Sequence, residues 1–320
     1  MTRLFYLVFF ASGATGLVYQ VLWLRLTGLV FGNTSHSIAI VLGAFMAGLA
    51  LGNWRIGRYA DGSGRPLRLY GWLEILIGVS AFLVPLLFAA MDSAYWAFAP
   101  QLEAVPGAGF VARFSASFTI MVVPTFLMGG TLPVMARLLV RQLPEVEAKV
   151  ATLYALNTFG AAVGVLAAAL YLVPVLGNQL TTTIIAVTNI AIGLFAIALD
   201  RRLPETAAEP TQAESQTDAE RAGDPATDRL ILATVAISGF VALVYEVAWT
   251  RALTALISNS SYAFAIMLVT FLVGIALGSS WAARFRPVAD LRLLGICQLA
   301  IAVGGLVFLA GYLFAPGVLV

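Results

Sequence analysis

The chain has 320 residues, 61% of them hydrophobic and 11% charged, with a mean hydropathy of +0.94. So little polar surface excludes a water-soluble globule of this size and requires a membrane protein. The formal charge of +2 is spread through short connections, leaving no basic patch for a nucleic acid, and the single Cys297, inside an apolar stretch, can form no internal disulfide.

A spanning helix needs about 20 mainly apolar residues, and about nine stretches qualify. They are 4–30, 36–55, 68–90, 114–136, 151–173, 180–199, 230–256, 262–282 and 291–314. The first resembles a secretory signal, since Arg3 precedes it and small residues occur at Ala11, Ser12 and Gly13. It is too long for a signal core of roughly 7–15 residues, and an internal copy of it rules out a cleaved leader. Between the third and fourth spans, Asp92–Ala112 carries Tyr95, Trp96 and Phe98, which reads as an interfacial helix or an ordered loop packed on the bundle. Basic residues fall on alternate connections: Arg3, then Arg55 to Arg68, Arg137 to Lys149, Arg201 with Arg202, and Arg284 to Arg292. The positive-inside rule makes that side, and the N-terminus, cytoplasmic. Residues 204–228, polar, acidic and nearly free of large apolar groups, read as a disordered cytoplasmic linker.

The internal copy organises the rest. SGATGLVYQVLWLR, from Ser12 to Arg25, returns as SGFVALVYEVAWTR, from Ser238 to Arg251. The alignment runs without a gap to Gly52 and Gly278, pairing Tyr19 with Tyr245, Trp23 with Trp249 and Arg25 with Arg251. After a shift of two residues, LRLYGWLEI at Leu67 answers LRLLGICQL at Leu291. Apolar composition alone would not align Trp, Arg and Asn, so the chain contains a repeat. Six spans separate the two starts, an even number, so the copies insert in the same orientation as parallel repeats. The expected organisation is a six-helix repeat over 1–200, the linker over 201–228, and the first three helices of a second repeat over 229–320.

Polar groups inside the spans need a reason, because an ionisable side chain at the centre of a bilayer costs about 2.5–3.5 kcal/mol even on lenient scales. Gln20 aligns with Glu246, and Glu74 with Gln298, so each copy holds one carboxylate and one amide at exchanged positions. If the halves face each other, Tyr19, Gln20, Arg25, Tyr245, Glu246 and Arg251 line a common cleft, where Glu246 reaches an arginine or a tyrosine hydroxyl. Glu74, near the cytoplasmic end of the third span, snorkels or pairs with Arg68. The functional reading of this set is a solute or proton path. The structural reading is an ion pair with arginines snorkelling at the outer interface, which suits Arg25 and Arg251 better than the two carboxylates. His36, at the outer end of the second span, is assigned no role.

Gly48 with Gly52, Gly160 with Gly164, and Gly274 with Gly278 are small-xxx-small pairs, expected to pack helices closely within the chain or against other membrane subunits. The loop from Gly57 to Leu69, GRYADGSGRPLRL, has Gly62 and Gly64 for a tight turn, Asp61 as an acceptor, and Arg58, Arg65 and Arg68 facing the cytoplasm. It doubles as a topology signal. No metal-ligand spacing, GxSxG elbow or glycine-rich nucleotide loop occurs, so neither a catalytic residue nor a cofactor is expected.

These features carry a resemblance. The Gly57, Arg58, Asp61, Gly64, Arg65 pattern resembles the loop signature of the major facilitator superfamily. Together with SGATGLVYQVLWLR, FMAGLALG, RPLRLYGWLE, GGTLPVMAR, LYALNTFGAAVGVLAAALYLVPVLG and SGFVALVYEVAWTR, it is similar to the membrane part of bacterial fused major-facilitator-like/spermidine synthase proteins. The resemblance implies an all-α, major-facilitator-like integral protein of a bacterial inner membrane, with an incomplete second half. That family commonly carries an aminopropyltransferase domain after the membrane part; no catalytic position of it falls in this sequence. Two functions follow: a transport module for a small cationic, polyamine-like solute, or a non-transporting anchor or scaffold for a larger complex or for a separate or missing aminopropyltransferase domain.

Overall fold

The computed structural model describes residues 2–32, 35–139, 146–202, 225–257, 260–285 and 291–314, and the described residues are helical almost throughout. The elements are α1 (Thr2–Phe31), α2 (Ser35–Asp61), α3 (Pro66–Glu103), α4 (Ala108–Gly129), α5 (Thr131–Leu139), α6 (Val146–Ala167, continued as a π-helical segment Ala168–Leu176), α7 (Gly177–Asp200), α8 (Pro225–Ile257), α9 (Ser260–Phe285) and α10 (Leu291–Leu313). Helices satisfy their own backbone, which hydrocarbon demands. Among the described residues, three glycines have positive φ: Gly32 after α1, Gly107 at the N-cap of α4 and Gly177 at the start of α7, a backbone conformation that other residues rarely adopt.

Among the described residues, eight helical runs are long and apolar enough to cross a membrane. The multi-pass, all-helical class is therefore observed. The count differs from the expected nine because the fifth and sixth stretches lie in one run, Val150–Asp200. That run is interrupted: Pro174 removes a backbone donor within the π-helical segment, Gly177 has φ of 75°, and the Thr181 hydroxyl donates to the Leu172 carbonyl at 3.1 Å. Nine residues of straight helix would separate those groups by about 13 Å, so the chain bends sharply there.

Two other expectations are corrected. Tyr95, Trp96 and Phe98 do not form a separate interfacial element; α3 runs through them to Glu103, since nothing between Ala89 and Tyr95 stops a helix. Most of the expected linker, 203–224, lies outside the described residues, but Pro225–Asp228 already form the first turn of α8, with proline at the helix start.

The chain divides into two compact units, Met1–Ala207 with Leu268–Arg284, and Ala208–Met267 with Phe285–Val320. In the first, three helix pairs dominate: α2 with α4, α1 with α6, and α3 with α7. Exchanging α1 for α4, α2 for α6 and α3 for α7 turns the first two pairs into each other and the third into itself. The glycines obey the same exchange. A Cβ on Gly48 or Gly52 of α2 would strike Thr125 or the Phe126 carbonyl of α4, and one on Gly160 or Gly164 of α6 would strike the Phe10 or Ala14 carbonyl of α1. Gly129 of α4 and Gly13 of α1 are likewise filled, by Leu49 and Asn157. In the third pair, Gly71 and Gly193 face each other's carbonyls, and Gly78 meets Ala186. Each crossing is a backbone-to-backbone approach that only glycine permits. An apolar cluster closes one end, where Phe5, Phe9, Tyr70, Leu73, Met135, Leu153 and Ala196 pack together.

In the second unit, α8 and α10 pair. The repeat is visible in fine detail. Tyr19 stacks on Trp23 at 5.7 Å in the first unit, and Tyr245 on Trp249 at 5.1 Å in the second. Ser12 is hydrogen-bonded to Glu74, and their aligned counterparts Ser238 and Gln298 are also hydrogen-bonded.

Replacing Gly52 or Gly164 with Leu forces a side chain into a facing carbonyl and is expected to cost about 1–3 kcal/mol or more. Gly239→Leu, where nothing lies within 4 Å, serves as the control. Melting temperatures of the purified variants check this: both crossing variants should melt well below the control, and equal melting would contradict the crossing geometry.

Candidate functional site

Glu74 is the most deeply buried carboxylate among the described residues of the first unit, at 0% exposure. It lies on α3 between Gly71 and Gly78, three residues after one and four before the other, on the face that meets α7. Opposite, Asn189 lies between Ala186 and Gly193 with the same spacing. The small residues bring the two backbones close enough for the Asn189 amide to donate to Glu74 Oε2 at 2.5 Å. From α1, the Ser12 hydroxyl donates to Oε1 at 2.5 Å, and the Tyr19 hydroxyl donates to Asn189 Oδ1 at 3.2 Å. Tyr70, fully buried one turn before Glu74, lies close enough to interact with Ser12 and Glu74, though its hydroxyl closes no hydrogen bond of ordinary geometry.

The set thus joins α1, α3 and α7 through a chain of donors that ends on the carboxylate. Its hydrogen bonds come from neutral groups. Pairing with Arg68, or snorkelling to the interface, does not occur, because Glu74 faces the α1–α7 side of its helix and two donors already hold its two oxygens.

Gln20 follows Tyr19 on α1 and is 1% exposed, yet neither its amide nitrogen nor its oxygen has a hydrogen-bond partner among the described residues. In the second unit the aligned Glu246 is 2% exposed and its Oε1 is likewise without a partner, so the pairing expected at Glu246 is not made at that oxygen. Thr250 caps only the Glu246 backbone carbonyl, at 2.7 Å. An unmatched buried polar group costs about 1–3 kcal/mol. Two such groups at equivalent positions therefore mark a place where the protein forgoes stability. Tyr245 turns its ring onto Trp249 and its hydroxyl toward Gly305, while Arg25 is half-buried and Arg251 is exposed on α8. Gln298 keeps the bond to Ser238 at 3.0 Å.

The loop motif from Gly57 to Arg65 is built differently from its glycine reading. Gly57 and Asp61 belong to α2, and neither Gly62 nor Gly64 is among the glycines with positive φ. Ser63 makes the turn instead: its N–H donates to the Ala60 carbonyl at 3.0 Å and its hydroxyl accepts from the Arg65 N–H at 3.3 Å. Arg58 lies over the Trp54 ring at 5.0 Å. Arg65 reaches Asp200 at the end of α7, at 3.6 Å, so the acidic partner of this loop is Asp200 and not Asp61. At the opposite end Arg113 lies 3.4 Å over the Tyr95 ring and His36 packs edge-on against Phe110.

Sequence reasoning missed Asn189, Ser12, Tyr70 and Asp200 as members of these sites. Two signals were present: Asn189 is a lone amide in an apolar span, and Ser12 is identical in both copies.

Removing one donor leaves the Glu74 carboxylate short of a partner, so Asn189→Leu and Ser12→Ala should each destabilise the protein by about 1–3 kcal/mol. Because both act through one group, Glu74→Gln combined with Asn189→Leu should be non-additive by about 0.5 kcal/mol or more. Unfolding midpoints in a double-mutant cycle check this, and strictly additive effects would dissolve the network. Comparison of the chain with protein-family models, with curated proteins and with solved structures finds no match.

Proposed function

We propose that the chain is a major-facilitator-like membrane module that binds and moves a small cationic, polyamine-like solute, with Glu74 and Glu246 as its anionic groups. The observation that carries this reading is Glu74 itself, a buried carboxylate on α3 held in place by neutral donors from two other helices, α1 and α7, and given no counter-ion by its hydrogen-bond partners. A structural carboxylate in hydrocarbon is usually matched by a basic side chain; one positioned by hydroxyl and amide groups leaves the place of a counter-ion to something that arrives. Glu246, with an unmatched oxygen, adds a second such group. The exchange symmetry of the three helix pairs supports the fold assignment, because triplets of spans with opposite direction are the building unit of that superfamily. Reading the interrupted run Val150–Asp200 as two spans gives nine and, by the charge of the connections, an inside N-terminus; a bacterial inner-membrane location is what the resemblance implies.

A second reading, a membrane anchor or scaffold for a larger complex or for a separate aminopropyltransferase, is favoured by one observation: α10 buries none of its apolar window and α8 only 6%.

Flux of radiolabelled spermidine into proteoliposomes separates the two. Transport predicts saturable uptake by the wild-type chain, reduced to background by Glu74→Gln and by Glu246→Gln while both variants stay folded. No uptake by folded wild-type protein leaves the scaffold. Orientation is checked with impermeant thiol labelling in a Cys297→Ser background: Gly107→Cys should label in intact cells and Ser63→Cys only after lysis, and the reverse pattern would invert the topology.

A further inference from the structure

Helices α8 and α10 of the second unit meet along one seam. Ser238 is bonded to Gln298 at 3.0 Å, Tyr245 then lies against Gly305, and Trp249 against Phe308. The spacing is helical, with 238, 245 and 249 on one face of α8 and 298, 305, 308 and 312 on one face of α10. Beyond the serine the seam is an unbroken row of rings. Tyr245 stacks on Trp249 at 5.1 Å, Trp249 lies 5.3 Å from Phe308, and Phe308 stacks on Tyr312 at 6.4 Å. All four rings are only partly buried.

The first copy departs from this at particular positions. It keeps the Tyr19–Trp23 stack, but the residues aligned with Gly305, Phe308 and Tyr312 are Ala81, Val84 and Phe88, so Val84 breaks the row. Its two stacked rings are also closed over, at 0% and 1% exposure. The same copy has Gln20 where the second has Glu246. The carboxylate and the unbroken row thus occur together in one copy and are both missing from the other.

Glu246 follows Tyr245 directly and precedes Trp249 by three residues, a spacing that makes Glu246 and Trp249 neighbours on the surface of α8. It is 2% exposed, its Oε1 has no hydrogen-bond partner, and no ion pair to it occurs among the described residues. The aligned Gln20 is likewise unpartnered, so the property belongs to the position. An anionic oxygen beside ring faces, which carry negative potential, calls for a cation. A hard metal ion would need several oxygens, yet the nearby Thr250 hydroxyl is spent on the Glu246 backbone carbonyl. Rings and carboxylate together match a cation that carries a hydrocarbon chain.

We propose that Glu246 with Tyr245, Trp249, Phe308 and Tyr312 forms an alkylammonium-binding site of the second unit, the ammonium on the carboxylate and its methylene chain across the rings. This rests on the polyamine reading and gives it a recognition surface.

Equilibrium dialysis of the full-length chain in lipid nanodiscs against radiolabelled spermidine tests the site. Glu246→Gln should weaken binding about ten-fold or more, equivalent to about 1.4 kcal/mol or more. Phe308→Leu, which removes a ring, should weaken it about three-fold or more, while Phe308→Tyr should keep wild-type affinity. Phe314→Leu, at an exposed ring outside the row, should change nothing. Competition on the wild-type chain needs no variant: butylammonium should displace spermidine at concentrations about ten-fold or more below those of ammonium ion or 1-butanol. If Phe308→Leu fails to fold, that competition decides. Folded wild-type protein that binds no spermidine overturns the transport reading and this site with it. Binding that Glu246→Gln or Phe308→Leu leaves unchanged, or that ammonium ion or 1-butanol competes as well as butylammonium, overturns the site alone.

Discussion

The structure rests on how closely helix backbones approach one another. In hydrocarbon, a helix gains nothing by moving an apolar side chain from lipid to protein, so association depends on contact distance and on the weak bonds that short distance permits. Every major crossing of the first unit is made at glycine, with a carbonyl of the facing helix lying where a Cβ would be. The arrangement has an internal symmetry, in which the Gly48/Gly52 face of α2 and the Gly160/Gly164 face of α6 do the same thing to α4 and α1. Glycine in a helix is costly in water because of the freedom it loses; here the spacing it allows more than compensates.

The same closeness makes the polar site. Glu74 lies between two of the glycines that draw α3 to α7, and Asn189 lies between the small residues that answer them. An amide side chain is short, so its bond to Oε2 exists only because the helices touch. Ser12 reaches the same carboxylate from α1, whose own crossing with α6 is fixed by Gly160 and Gly164. Packing and polar chemistry are therefore one design: a substitution that spreads a crossing also pulls a donor away from Glu74. Gln20, and Glu246 at its Oε1, are the complement: buried polar atoms without a hydrogen-bond partner among the described residues.

Much of this was legible in the sequence and some of it was not. The repeat could be read because Trp23, Arg25 and Tyr19 recur with Trp249, Arg251 and Tyr245, residues that apolar composition does not place by chance. The glycine pairs could be read as packing faces, since spacing of four on a helix defines a side. Which faces were covered could not be read: Gly48 and Gly274 look alike until the position of α4 is known. The partner of Glu74 was hidden for a similar reason, since Asn189 is far along the chain and the nearest charge in sequence, Arg68, was the more obvious choice. The continuation of α3 through Tyr95 was missed because Asp92 and Ser93 resemble the start of a loop, while a helix tolerates both. The turn between α2 and α3 was credited to its glycines, whereas Ser63 closes it with two hydrogen bonds.

The central claim is that the Glu74 carboxylate, held by neutral donors, is the group that meets the solute. Infrared difference spectroscopy on reconstituted protein, perfused alternately with and without spermidine, reads that group directly. The account predicts a carboxyl-region difference signal that appears with the polyamine, saturates, and is missing in Glu74→Gln. A difference spectrum without carboxyl bands, or one that Glu74→Gln leaves unchanged, would contradict it.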